Sequence, residues 1–206
     1  MDWLGGGGYN HLGLYIHGVE YTHPTSGNKV SGTYMPILFE SLADPIISGR
    51  EELGMPKLFS DIDVFRRGEG GYHVKTSWRG VNWGSFSLSE LKASDPNAST
   101  GSVSGEADEG IIVHRYIPSV GKEKKGVAEA DYACFDRFEE AEPKPQVSRS
   151  WEARDAKVEI DGGDWTSLPT LHHVVSRLAE IPIYEVVGAK VVEGVSVPDV
   201  SGCKPV

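Results

Sequence analysis

Only two cysteines occur in 206 residues, Cys134 and Cys203, and they lie far apart. So few thiols, so widely spaced, indicate neither a disulfide framework nor a CxxC metal site. Basic residues are also scarce. Twenty Lys and Arg against 30 Asp and Glu leave a formal charge of −10. That balance argues against a nucleic-acid surface, which needs a basic face, and against electrostatic attachment to an anionic membrane. An acidic substrate has to be drawn in by local positive groups against the overall field. No apolar run approaches the length of a transmembrane helix, and the N-terminus lacks a basic region followed by an apolar core. Without a secretion signal, the sequon Asn97-Ala98-Ser99 reads as a chance match in a loop. The expectation is one soluble cytoplasmic domain over 1–206, large enough to bury a real core.

Glycine and turn residues are plentiful and divide the chain into short strand-like segments. Gly5 to Gly8 suggest a bend; no helix pattern follows, so they form no phosphate-binding loop. His11 to Tyr21 alternates, with His11, Gly13, Tyr15, His17 and Val19 on one face and Glu20 on the other. Thr22 to Ser31 makes a hairpin loop and Gly32 to Phe39 the return strand. Asp44 to Ser48 reads as a short strand. Further strands are expected at Asp63–Phe65, Gly71–Ser77, Val81–Leu88, Gly110–Pro118, Trp151–Ile160 and Val186–Val197. Arg79-Gly80, between Trp78 and Trp83, looks like a hairpin turn. Lys92 to Gly110 and Phe135 to Ser150 read as loops, and Lys122 to Lys125 as a solvated turn. One long helix stands out, capped by Ser167, with Leu171, Val174, Val175 and Leu178 as its apolar stripe. His172 and His173 on it lack the i, i+4 spacing of a paired metal site, so no metal is expected. The pattern predicts an α+β chain, mainly antiparallel β with one main helix, whose closed or partly closed sheet holds a pocket.

The stretch D-P-I-I-S-G-R-E-E-L-G-M-P-K-L-F-S-D-I, residues 44–62, is the most constrained. Gly54 and Pro56 place Lys57 on a stiff turn, with Leu58 and Phe59 expected to bury beside it. A lysine in apolar company is a candidate amine nucleophile, because desolvation disfavours its charged form. The bland alternative is a surface lysine whose stem lies on Phe59 and whose ammonium stays in water. Arg50 and Glu51 read as a buried ion pair fixing the turn, although Arg50 is the nearest positive group available to a substrate carboxylate.

The residues G-R-E-E-L-G-M-P-K fit the pattern G-R-E-x-x-G-x-P-K, which resembles the signature of the acetoacetate decarboxylase family. Upstream, G-T-Y-M-P-I-L-F-E-S-L-A-D-P-I-I-S-G-R-E resembles that family's strand pair. Downstream, the helix from Ser167 and I-P-I-Y-E-V-V-G-A-K-V-V resemble its closing helix and strand. The resemblance implies a β-barrel that forms a symmetric homo-oligomer, uses no cofactor and acts on a small-molecule keto acid or ketone. It also implies that Lys57 forms a Schiff base. An amine must be neutral to attack a carbonyl, and an ordinary lysine is neutral only about four times in ten thousand at pH 7. Acetoacetate decarboxylase is itself the standard example of a lysine activated by desolvation or a neighbouring cation.

Two departures from the family pattern bear on the reaction. Where the best-known members carry a second lysine, this sequence has Leu58, so desolvation is expected to act alone. The family's G-x-Y-x-E glutamate falls at His11, in Gly8-Tyr9-Asn10-His11, and the chain begins after the segment carrying the family's pocket arginine and other glutamate. His11 is then either a general acid or base or a hydrogen-bonded strand histidine with no chemistry. Tyr15 either completes a polar pocket with it or sits outside. Leu38, Phe39 and Trp83 are apolar candidates for contact with a larger substrate, and Glu20 is a poor replacement for the glutamate unless a bulge intervenes. The leading expectation is decarboxylation of a β-keto acid. Imine or enamine chemistry without decarboxylation (aldol condensation, dehydration or isomerisation) and a non-catalytic ligand carrier are the alternatives.

Overall fold

The computed structural model describes residues 8–68, 70–96, 108–121, 126–137, 146–195 and 203–206. Along the chain these form β1 (His11–Thr22), β2 (Lys29–Glu40), α1 (Ala43–Glu52), β3 (Lys57–Phe59), β4 (Asp61–Arg67), β5 (Gly71–Trp78) and β6 (Val81–Ser94). There follow β7 (Gly110–Pro118), β8 (Ala128–Arg137), β9 (Gln146–Ile160), α2 (His172–Ala179), β10 (Lys190–Val195) and the two-residue β11 (Lys204–Pro205). The α+β, mainly antiparallel expectation holds, with two helices rather than one among the described residues. Among the described residues no helix is long and apolar enough to cross a membrane. The expectations at Gly5–Gly7, the sequon and Lys122–Lys125 lie outside the described residues.

The chain divides into two compact units. The first carries a sheet in the order β1-β2-β7-β8-β11, with β3 also paired to β2. Its β2–β7 pair is parallel, and β1–β2, β7–β8 and β8–β11 are antiparallel. Its core gathers Met35, Leu38, Val113 and Cys134, with Met55, Ile111 and Cys203 packed against them. Both cysteines are free thiols. Cys203 Sγ donates to the Leu53 carbonyl at 3.3 Å, tying the C-terminal residues to the end of α1. The Cys134 thiol is pushed down to about 7, first by its hydrogen-bonding interaction with Cys203 and less by the charge of Arg115.

The second unit carries an antiparallel sheet in the order β10-β9-β6-β5-β4. The β5–β6 hairpin turns at Arg79 and Gly80 as expected, with φ of 49° and 83°. Both central residues are left-handed, as a two-residue hairpin matching the strand twist requires. Arg79 adopts that costly conformation with its guanidinium 4.9 Å from the Trp78 ring centroid, a contact that offsets part of the strain. Trp83 is buried with its indole N–H donating to Ser60 Oγ at 3.1 Å.

Several expectations change, among them the final strand, which begins at Lys190 and not at Val186. Asp44–Ser48 belongs to α1, not to a strand: Pro45 sits in the first turn, where a missing N–H costs nothing, and Asp44 faces the positive helix end. A strand at 128–137 has no clear alternation signal, and β6 and β9 run longer than the sequence suggests. The helix after Ser167 begins only at His172. Ser167 lies too far before it to cap it and is held by Asp164 instead: its Oγ accepts from the Asp164 amide at 2.9 Å, and its own amide and hydroxyl donate to Asp164 Oδ1 at 2.8 and 2.9 Å. The Thr166 hydroxyl makes a further 2.6 Å bond there. These bonds, that of Thr166 first, hold the Asp164 carboxyl down at about 2. A depressed carboxyl contributes stability above its ordinary value of 3.8 and loses it as pH falls towards 2. Asp164→Ala is therefore expected to lower the thermal midpoint at pH 7, with the gap to the wild type closing between pH 4 and 2. A gap that is independent of pH over this window contradicts the assignment.

Candidate active site

Lys57 opens β3 at the end of a tightly fixed turn. The Met55 amide donates to the Gly49 carbonyl at 3.0 Å and the Lys57 amide to the Met55 carbonyl at 2.9 Å. The Leu38 amide donates to the Pro56 carbonyl at 3.1 Å, fastening the turn to β2. Arg50 Nη1 donates to the Lys57 carbonyl at 3.1 Å, so the arginine of the motif grips the lysine's own backbone. Arg115 closes the far side: its Nη2 donates to the Glu51 carbonyl at 2.8 Å, satisfying a group that the end of α1 leaves open.

The Lys57 side chain runs inward and is 7% exposed. It lies against Gly49 of α1, where a Cβ would come within 2.5 Å of Nζ and 2.6 Å of Cδ. The glycine of G-R-E is thus the space into which the lysine folds. At the end of that channel Nζ donates to the Pro45 carbonyl at 2.9 Å and meets Glu40 Oε1 at 2.8 Å. The snorkelling alternative is excluded. Leu58 is half-buried, but Phe59 is exposed, so it does not shield the lysine as expected. Lys57 is desolvated, and its company is polar: one carboxylate and one carbonyl.

Glu40 is 1% exposed and is a site residue that the motifs of the sequence do not mark. A signal is nevertheless present. Glu40 ends the otherwise apolar run M-P-I-L-F-E of a buried strand, and a buried carboxylate demands a cation or donor. In the β1–β2 ladder Glu40 stands directly opposite His11, and residues so paired project from the same face of a sheet. A buried carboxylate thus stands on the strand beside position 11, where the family pattern has a glutamate.

His11 itself is exposed, its ring 6.5 Å from that of Tyr9. Tyr15 is brought to the same neighbourhood, its ring lying over Gly13, whose cross-strand partner is Leu38. The hydroxyls of Tyr9 and Tyr15 both titrate above their usual range, first because burial disfavours the phenolate and then because Glu40 adds negative charge. Arg50 and Glu51 are exposed and make no ion pair with each other among the described residues. They line a groove of about 370 Å³ with Met55, Pro56 and Arg115 along the outside of the turn. Leu38 and Phe39 are 5% and 1% exposed, Leu38 within the core cluster. Two bulges interrupt β1 between Leu14 and Val19, yet Glu20 pairs with Lys29 at 3.2 Å, away from Lys57. His17 binds Asp108 and Thr33, both at 3.0 Å. Among the described residues no group of His, Cys, Asp and Glu is arranged to hold a metal ion.

No curated protein matches the sequence. Among solved structures, the chain is similar to the acetoacetate decarboxylase of Legionella pneumophila subsp. pneumophila str. Philadelphia 1, with a TM-score of 0.59 and 14% identity over 94% of this chain and 68% of that one. A second acetoacetate decarboxylase structure gives 0.60 and 13%, over 96% of this chain and 68% of that one. The enduracididine biosynthesis enzyme MppR with bound HEPES gives 0.51 and 14%, over 78% and 55%. At these identities the likeness concerns the fold, which is acetoacetate decarboxylase-like. The sequence model of acetoacetate decarboxylase matches residues 2–197, nearly the whole chain, and the protein belongs to that family.

Proposed function

We propose that this protein is a Schiff-base lyase that decarboxylates a small β-keto acid through Lys57. The observation that carries this reading is the lysine itself: buried, threaded along Gly49, and held at its backbone by Arg50 and at its Nζ by Pro45 and Glu40. Such positioning has no purpose for an ordinary surface lysine, and it is what an amine nucleophile requires. In the reaction, Nζ condenses with the keto group. The protonated imine then draws the electron pair of the adjacent C–C bond, carbon dioxide leaves, the enamine carbon takes a proton, and water releases the ketone. Release of carbon dioxide from a panel of β-keto acids tests this. Turnover above the background of the Lys57→Met variant is expected for at least one of them. If none decarboxylates, the reaction assignment is wrong.

One observation favours a second reading, in which the imine is used for aldol, dehydration or isomerisation chemistry. A substrate carboxylate next to the imine would stand close to Glu40, and two like charges in a buried site repel. The fold is shared with MppR, an enzyme of enduracididine biosynthesis. Consumption of a carbonyl substrate without carbon dioxide, lost in Lys57→Met, is the outcome that selects this reading.

A further inference from the structure

We infer that Glu40 is the acid–base catalyst of imine formation, the group that removes the proton from Lys57 and returns it to the departing oxygen. This rests on Lys57 being the nucleophile. It adds a catalytic residue at a position where the family motif calls for none.

Three observations lead to it. Glu40 Oε1 lies 2.8 Å from Nζ, within direct proton-transfer distance, and both side chains are more than nine-tenths buried, so no solvent base competes. The other carboxylate oxygen, Oε2, is buried and has no hydrogen-bond partner among the described residues. A buried ion pair that served only stability needs its remaining lone pairs satisfied, because desolvating both charges otherwise outweighs their attraction. Glu40 leaves one oxygen open beside the reacting nitrogen. Finally, the strand register sets Glu40 opposite His11, next to Tyr9 in the chain, and the Glu40 charge adds to the burial that raises the Tyr9 and Tyr15 hydroxyls.

The steps balance. Oε1 takes one of the three protons of the Lys57 ammonium, leaving a neutral amine and a neutral carboxylic acid. The nitrogen lone pair attacks the carbonyl carbon, and a second proton moves from nitrogen to the carbonyl oxygen, giving the neutral carbinolamine. Glu40 then gives its proton to that hydroxyl, which leaves as water while the nitrogen lone pair forms the C=N bond. The products are a protonated imine, one water and the regenerated Glu40 carboxylate. The open Oε2 is where the departing water, a donor, can be held.

The experiment uses 2,4-pentanedione, a β-diketone whose conjugate with a lysine amine absorbs in the near ultraviolet. Glu40→Gln keeps an oxygen that can accept from Nζ, so Lys57 stays in place, but it cannot take a proton. It is expected to form the conjugate on the order of 10²-fold to 10⁴-fold more slowly than the wild type. Glu40→Ala removes the carboxylate and leaves a space that formate can enter. Added formate is expected to accelerate conjugation in this variant, whereas chloride at equal ionic strength is not, a response that a purely structural role would not produce. Circular dichroism checks that both variants are folded. Glu40→Gln reacting at the wild-type rate overturns the assignment and leaves Lys57 as the nucleophile. No conjugate in the wild type overturns the Lys57 reading itself, and Glu40 with it.

Discussion

Lys57→Met is expected to abolish turnover, lowering the rate by on the order of 10⁴-fold or more, as removal of a covalent nucleophile does. Methionine has nearly the length of the lysine stem and fills the same channel along Gly49, so the fold is kept. The stability effect follows separately. The substitution leaves Glu40 buried without its cation, and breaking a buried pair from one side costs about 3–5 kcal/mol. The double variant Lys57→Met, Glu40→Gln removes both charges and is expected to recover most of that loss in a denaturant titration, while remaining inactive. A Lys57→Met protein with wild-type turnover contradicts the mechanism. A double variant no more stable than the single one shows that the 2.8 Å contact carries no charge coupling.

The second large effect separates activity from stability at one position. Alanine in place of glycine inside a helix ordinarily gains about 1 kcal/mol. At Gly49 the added methyl would lie 2.5 Å from Nζ and 2.6 Å from Cδ, distances that no real carbon contact sustains. The atoms in its way are the far end of a flexible side chain, so the structure yields cheaply by swinging the lysine tip aside. Gly49→Ala is therefore expected to unfold within about 1 kcal/mol of the wild type yet lose roughly 10²-fold in rate, since displacing a reacting group by an ångström costs that much. Chemical denaturation and steady-state rates measured on the same preparation decide the matter. Equal losses of stability and activity would mean that Gly49 serves the helix and not the lysine.

Lys57 and Glu40 meet in the fold but differ in how openly the amino-acid sequence displays them. Lys57 is legible because its neighbours are chemically extreme: glycine and proline narrow the backbone to few conformations, and that narrowing survives whatever surrounds it. The hairpins and the alternation of His11, Gly13 and Tyr15 are legible for the same local reason, since turn type and pleat depend on near neighbours. Helix α1 is not. Pro45-Ile46-Ile47 has strand propensity, and the only local signals against it are Asp44 and Pro45 in the first turn of the helix. Glu40 is hidden for a non-local reason. Its partner is 17 positions further along the chain, and its place opposite His11 follows from the strand register, which composition does not reveal. The family resemblance points to a carboxylate on β1; the fold delivers one from β2. Arg50 reads in the sequence as an ion-pair partner of Glu51, and in the fold it binds a carbonyl, because a guanidinium at a turn satisfies backbone as readily as carboxylate.

The central claim is that Lys57 forms an imine, and one measurement tests it directly. The wild-type protein is incubated with a β-keto acid, reduced with borohydride, digested and mapped by mass spectrometry. The account predicts a single stable adduct on the peptide carrying Lys57, absent without reduction and absent when the substrate is omitted. An unmodified Lys57 peptide, or reduction products scattered over the exposed lysines, would contradict it.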